Sequence, residues 1–311
     1  MLSRVANALY WMSRYLERAE NSARFLSVTH GYAQEMRGIS RQAADECWAV
    51  ARRMFAQEQS EGGMESFRRL AFDHSLDNSL VNCLTRAREN ARGIRDAISS
   101  ELWEELNTLY LYVSQEANDR PTEASELSLL HRVRTTSHVI QGLRDNTLRH
   151  TDEWHFMLLG QSVERADQTA RLLSAMFSHP VLAAADAAGH NIDTLHLVAT
   201  LRSCTALETF SRAGHALSAE NVAAFLLLDN YFPRSVEFSA QQVVHSLHAL
   251  SGTSLEQYGN EAEQVAGRLL SELRFADINE ILEMGLKGYV DSVAGKIGQI
   301  GLAIRRVYFE I

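Results

Sequence analysis

Two sets of charged side chains carry most of the chemistry this sequence offers. They are Glu17, Arg18, Glu20 and Arg24, and Glu164, Arg165, Asp167 and Arg171. Both belong to an eleven-residue stretch, Glu17 to Ser27, that returns as Glu164 to Ser174 at an offset of 147 residues with seven identical positions. Paired carboxylates of this kind would act as general acid and base if their surroundings drove their pKa values apart. The arginines would clamp a carboxylate or phosphate through the planar guanidinium fork. A structural use competes with this one. Each copy holds two acids and two arginines, which suits a self-neutralising clasp between helices, because an unpaired buried charge is costly. Glu17 and Glu164 are therefore the catalytic candidates. Arg18, Glu20, Arg24, Arg165, Asp167 and Arg171 form the binding or structural network.

Weaker echoes extend the set. Ser235-Val236-Glu237 repeats Ser162-Val163-Glu164, and Arg88-Glu89-Asn90-Ala91-Arg92 matches Glu20 to Arg24 if one residue is skipped. They add Arg88, Glu89, Arg92, Arg234 and Glu237 to the network candidates. No metal site and no cofactor are expected: a di-metal carboxylate centre wants Glu-x-x-His, and only an Asp152-to-His155 spacing is present. There is no phosphate-binding glycine loop and no nucleophile elbow. Cys47, Cys83 and Cys204 lie far apart and read as reduced thiols.

The elements that must position these residues are helices. Val5, Leu9, Met12, Leu16, Ala19, Ala23 and Leu26 alternate steps of four and three, the rhythm of a bundle seam, and Val290 to Val307 repeats it. Between these ends the pattern predicts helices at 41–56, 64–73, 77–116, 123–149, 152–177, 191–213, 219–228, 234–250, 260–283 and 286–309. Gly62-Gly63, Asp119-Arg120-Pro121 and the Ala-rich stretch from His179 to Gly189 are the expected joints. On a helix, Glu20–Arg24 and Asp167–Arg171 are i,i+4 pairs in the acid-first order, each contributing roughly 0.2–0.5 kcal/mol if exposed. Neighbours such as Glu17 and Arg18 point about 100° apart, so each doublet must reach two different partners. The expectation is an all-α bundle of about ten helices without a sheet. It is built from two duplicated halves, residues 1–150 and 151–311, packed as one continuous domain.

Composition narrows the partners. A net charge of −9 argues against nucleic acid, which needs a basic footprint. The densest apolar run, Val222 to Leu228, is far short of the roughly 20 residues a membrane-spanning helix needs. With no signal-peptide pattern at the N-terminus, the expected location is cytoplasmic.

At these residues the chain resembles a known family. Its opening, Met1 to Asn21, looks like that of the bacterial alpha-E proteins, which are all-helical with a tandemly duplicated Glu-Arg motif. Gly160 to Asp167, Phe232-Pro233-Arg234-Ser235-Val236, Ala87 to Arg92 and Trp103 to Asn107 resemble the family as well. In the third element a phenylalanine follows the glutamate (Glu237-Phe238), so no full Glu-Arg role is carried over there. The resemblance implies gene company with circularly permuted ATP-grasp proteins, transglutaminase-like proteins and peptidases, in a peptide synthesis or modification system. The expected role is a helical partner of the ATP-grasp amide ligase, binding the ligase or its peptide substrate. The alternatives are an enzyme using the duplicated Glu and Arg residues as acid–base and anion-clamp groups, and a self-associating scaffold.

Overall fold

The three-and-four rhythm of the N-terminal segment becomes one buried stripe. Leu9, Met12, Ala19, Ala23 and Leu26 are all sealed along α1 (Ser3–Arg37). In this computed structural model, residues 1–38, 41–55, 63–118, 123–177 and 190–310 are described, and every regular element among them is helical. After α1 come α2 (Arg41–Met54), α3 (Gly63–Phe72), α4 (Leu80–Arg92), α5 (Ser100–Asn118) and α6 (Glu123–Thr147). The chain continues through α7 (Asp152–Phe177), α8 (His190–Ser203), α9 (Leu207–Arg212), α10 (Ala219–Leu228) and α11 (Val236–Ser251). It ends with α12 (Glu261–Phe275), α13 (Ile278–Met284) and α14 (Leu286–Ile304), the last running into a π turn. The joints expected at Asp119-Arg120-Pro121 and His179 to Gly189 lie outside the described residues, as does Gly62.

The bundle has more helices than the apolar rhythm suggests because three expected helices break in two. The stretch 77–116 breaks after Gly93, where Ile94 leaves helical geometry and the Ser99 hydroxyl accepts from the Leu102 amide to start α5. The stretch 191–213 breaks at Thr205, a β-branched residue at φ +53°. The stretch 260–283 breaks at extended Ala276, and Asp277 caps α13 by accepting from the Asn279 amide at 2.7 Å.

Helices α1 and α7 form the central pair. Around α1 pack α2, α4 and α6; against α7 pack α11 and α14. The two central helices run parallel, because their contacts climb together. The Met1 amine stands 3.6 Å from Asp152, the Tyr10 carbonyl lies under Gly160, and Arg18 reaches Glu164. A parallel pair in this register sets repeat-equivalent residues level with one another. Gly160 makes the approach possible: a Cβ there would sit 2.2 Å from the Tyr10 carbonyl oxygen. Gly298 of α14 makes no such close approach, since a Cβ there would meet nothing within 4 Å.

Candidate functional site

The two motif copies grip each other. Arg165 of α7 forks Glu17 of α1, with Nε to Oε1 at 2.8 Å and Nη2 to Oε2 at 3.0 Å. Arg18 of α1 forks Glu164 of α7 in the same way, at 2.6 and 2.9 Å. Each doublet therefore sends its acid and its base to the other copy, which resolves why sequence neighbours cannot face one another. Two bidentate charge-assisted pairs at one height are the strongest polar contact the two helices share.

Further donors complete each nest at equivalent positions. One turn before each glutamate, Gln161 donates to Glu17 at 3.1 Å and Arg14 donates to Glu164 at 2.9 Å. One turn after, Asn21 donates to Glu17 at 3.4 Å and Gln168 to Glu164 at 3.0 Å. The Arg144 guanidinium donates to the Gln161 amide oxygen at 2.5 Å, which turns the Gln161 NH2 towards Glu17. The turns before α4 and α11 supply the last parts. Asn78 accepts from Arg18 at 2.9 Å, while Arg234 donates to Asn21 at 2.5 Å and to Glu20 at 2.7 Å, with Glu17 at 3.4 Å. Ser79 and Ser235, the residues that follow, cap those two helices by accepting from Asn82 and Phe238.

Both central carboxylates are sealed, with side-chain exposures of 1% for Glu17 and 0% for Glu164. Burial alone would raise their pKa values. The guanidinium groups outweigh it: Arg165 and Arg234 hold Glu17 at about 2, and Arg14 and Arg18 hold Glu164 at about 2. On Arg14 burial opposes the charge, but Tyr10 and Glu164 prevail and hold it above the ordinary arginine range.

The i,i+4 pairs form as the spacing predicts, but in unlike settings. Glu20 and Arg24 pair inside the core, where Arg24 also donates to the hydroxyl of Thr205. Thr205 is the one non-glycine among the described residues with positive φ, so backbone strain sits where this arginine is anchored. Burial, then Arg234 and Arg134, pull the Arg24 pKa down. Asp167 pairs with Arg171 at 2.8 Å, with Arg171 56% exposed. Burial raises the Asp167 pKa, and Arg171 offsets only part of that.

The network is not charge-balanced, contrary to the expectation from each copy's two acids and two arginines. Arg14 and Arg234 join it, giving six arginines (Arg14, Arg18, Arg24, Arg165, Arg171, Arg234) against four acids (Glu17, Glu20, Glu164, Asp167). The excess is shared, one arginine per nest. Arg88, Glu89 and Arg92 pair elsewhere: Arg88 donates to Asn107 and Glu89 and lies over the Tyr110 ring, and Arg92 pairs with Glu89. Glu237 faces Arg274 at 3.9 Å, and burial raises its pKa. Arg14, Gln161, Asn21, Gln168 and Asn78 are site residues that sequence reasoning missed. The available signal was the 147-residue offset itself, which pairs Arg14 with Gln161 and Asn21 with Gln168 on the face that bears the glutamates. Among the described residues no group of three or more His, Cys, Asp or Glu side chains is arranged to hold a metal. No helix among them is long and apolar enough to cross a membrane.

Comparison with known proteins places the chain in a family. The model of the Alpha-E family, described as a predicted alpha-helical domain with a conserved ER motif, matches residues 1–309. An uncharacterized protein of Mycobacterium bovis and two of Mycobacterium tuberculosis are each 24% identical over 98% of this chain. The chain spans 36% of the length of these curated relatives. No solved structure matches it. The chain belongs to the Alpha-E family.

Proposed function

We propose that this Alpha-E chain is a non-catalytic helical partner of a circularly permuted ATP-grasp amide ligase, binding the ligase or its peptide substrate in the bacterial cytoplasm. A transglutaminase-like protein is the second candidate partner. The gene company implied by the family resemblance motivates the choice of system. The single observation that supports a non-catalytic role is the state of Glu17 and Glu164. A general acid or base must reach the proton it moves and have a pKa near the working pH. Both glutamates are sealed, both are forked by arginine, and both pKa values are driven the same way, to about 2. Catalytic carboxylate pairs have their values pushed apart. The clasp suits a framework that holds two helices, and the surface built on them, in one register.

The test is co-purification of the tagged chain with the neighbouring ATP-grasp protein, followed by amide-bond formation by the ligase with and without this chain. The expected result is a stable complex and a changed ligase rate. If no complex forms and ligase turnover is the same without the chain, the reading fails. Turnover of the peptide by the purified chain alone would restore the enzyme alternative.

A further inference from the structure

On the side of the Glu17 nest that faces α6, the chain holds more positive charge than its carboxylates neutralise. Helix α6 runs antiparallel to α1: Gln141 donates to Glu17 at 3.4 Å, and three residues earlier the His138 Nε2 stands 3.6 Å from Glu20. One further turn along each helix brings Arg134 level with Arg24. Arg134 makes no hydrogen bond or ion pair among the described residues; its Nε is sealed, and its two Nη groups are not. The residues one turn away from it on α6 are Leu130, His131, Ser137 and His138, none of them an acid.

Arg24 sits deeper, at 2% exposure. Its Nη groups go to Glu20 and Thr205, and its Nε has no partner. Arg234 divides itself between Glu17 and Glu20, and Glu17 is also forked by Arg165. Four arginines (Arg24, Arg134, Arg165, Arg234) thus stand against two carboxylates (Glu17, Glu20), an excess of two positive charges. The Glu164 side has an excess of one, with Arg14, Arg18 and Arg171 against Glu164 and Asp167. The repulsion is felt by the arginines themselves. Burial, then Arg234 and Arg134, lower the Arg24 pKa to about 9, and burial, then Arg234, lower that of Arg134. Solvent reaches the cluster beside α6, where His138 is 55% exposed and Arg134 half-buried.

We propose that this cluster binds a phosphoryl dianion, its oxygens taking the two Nη groups of Arg134 and the imidazole N–H of His138, with Arg24 and Arg234 supplying positive charge from behind. Two negative charges match the excess of two, and a guanidinium fork with no protein partner fits two oxygens of one phosphoryl group. A carboxylate would cancel only half of the excess. The same dianion comes as free phosphate or as a phosphate monoester.

The experiment is isothermal titration calorimetry and thermal unfolding of the full chain with inorganic phosphate, phenyl phosphate and acetate at one ionic strength. The expected result is saturable binding of a phosphoryl compound with a raised melting temperature, and neither effect with acetate. Binding of either phosphoryl compound supports the site, and the tighter of the two identifies the source. Arg134→Gln should weaken binding at least about tenfold, a loss of about 1.4 kcal/mol. It should also leave the unliganded chain at least as stable as wild type, because this arginine has no partner to lose. Arg134→Lys keeps the charge without the fork, should weaken binding severalfold, and serves if Arg134→Gln does not fold. Arg171→Gln, in the other motif copy, should bind as wild type does. Failure of both phosphoryl compounds to bind, equal binding of acetate, or wild-type affinity in the Arg134 variants would overturn the assignment. So would a fall of several degrees in the melting temperature of unliganded Arg134→Gln.

Discussion

Glu17 takes its second guanidinium from Arg234, in the turn before α11, whereas Glu164 takes its own from Arg14, on the opposing central helix. At the position equivalent to Arg14 the chain carries neutral Gln161. The two nests thus reach the same ionic state by different routes, with two arginines each and a carboxylate pKa near 2. What the duplication preserves is neutralisation of a buried carboxylate, and the origin of the second cation is free to move. The i,i+4 pairs beside them differ in the opposite sense. Glu20–Arg24 is sealed inside the core, whereas in Asp167–Arg171 the carboxylate is buried and the guanidinium is exposed. One pair is wholly sealed, and in the other the arginine alone meets solvent.

Removing either central carboxylate should have the largest effect, and a similar one on both sides. Glu17→Gln and Glu164→Gln each leave two arginines near a neutral amide, and breaking a buried pair costs about 3–5 kcal/mol. Urea unfolding measures this. A loss of under about 1 kcal/mol in either would break the equivalence of the nests. The pH dependence follows with a fixed sign. Both folded pKa values are depressed, to about 2, so their stabilisation is present above the unfolded value. It is lost as pH falls from about 4.3 towards 2. Each single variant should flatten that acid limb, read from urea midpoints across the range.

Gly160→Ala comes next, because the new methyl must push the Tyr10 carbonyl away. Overpacking of this kind costs about 1–3 kcal/mol. A melting temperature equal to wild type would show that α1 and α7 are not held this close.

The smallest effects belong to the open pair and sharpen its contrast with the closed one. Arg171→Ala should cost less than about 3 kcal/mol, less than either central carboxylate, because the guanidinium is exposed although its partner Asp167 is buried. Asp167→Asn should be neutral or slightly stabilising at pH 7. Burial has raised that carboxyl's pKa, so its ionised form costs stability as pH rises through the folded value. Glu20→Gln, in the closed pair, should cost about 3 kcal/mol by the same urea measurement. Equal losses at Glu20 and Asp167 would erase the distinction.

The helical class, the long central helices and the need for each Glu-Arg doublet to find two partners were legible in the apolar rhythm and the repeat. The helix breaks were harder to read. Thr205 adopts a left-handed conformation that no glycine or proline announces, and its hydroxyl is held by Arg24 from a helix 181 residues earlier. Arg14 and Gln161 were hidden for a related reason: they meet the opposite glutamate only because α1 and α7 are parallel and level, which periodicity alone does not state. Asn78 and Arg234 come from turns, where sequence pattern says little about reach. The echo at Arg88, Glu89 and Arg92 misled because similar letters at helical spacing also build a local surface network, here with Asn107 and the aromatic rings of α5.

Reciprocity between the two motif copies is tested most directly by a pair of double-mutant cycles sharing Glu17→Gln. One cycle adds Arg165→Gln, the partner across the helix pair, and the other adds Arg18→Gln, the neighbour in sequence. The coupling with Arg165 should reach about 2–3 kcal/mol, and that with Arg18 should stay below about 1 kcal/mol. A larger coupling within the Glu17–Arg18 doublet than across to Arg165 would contradict the crossed clasp.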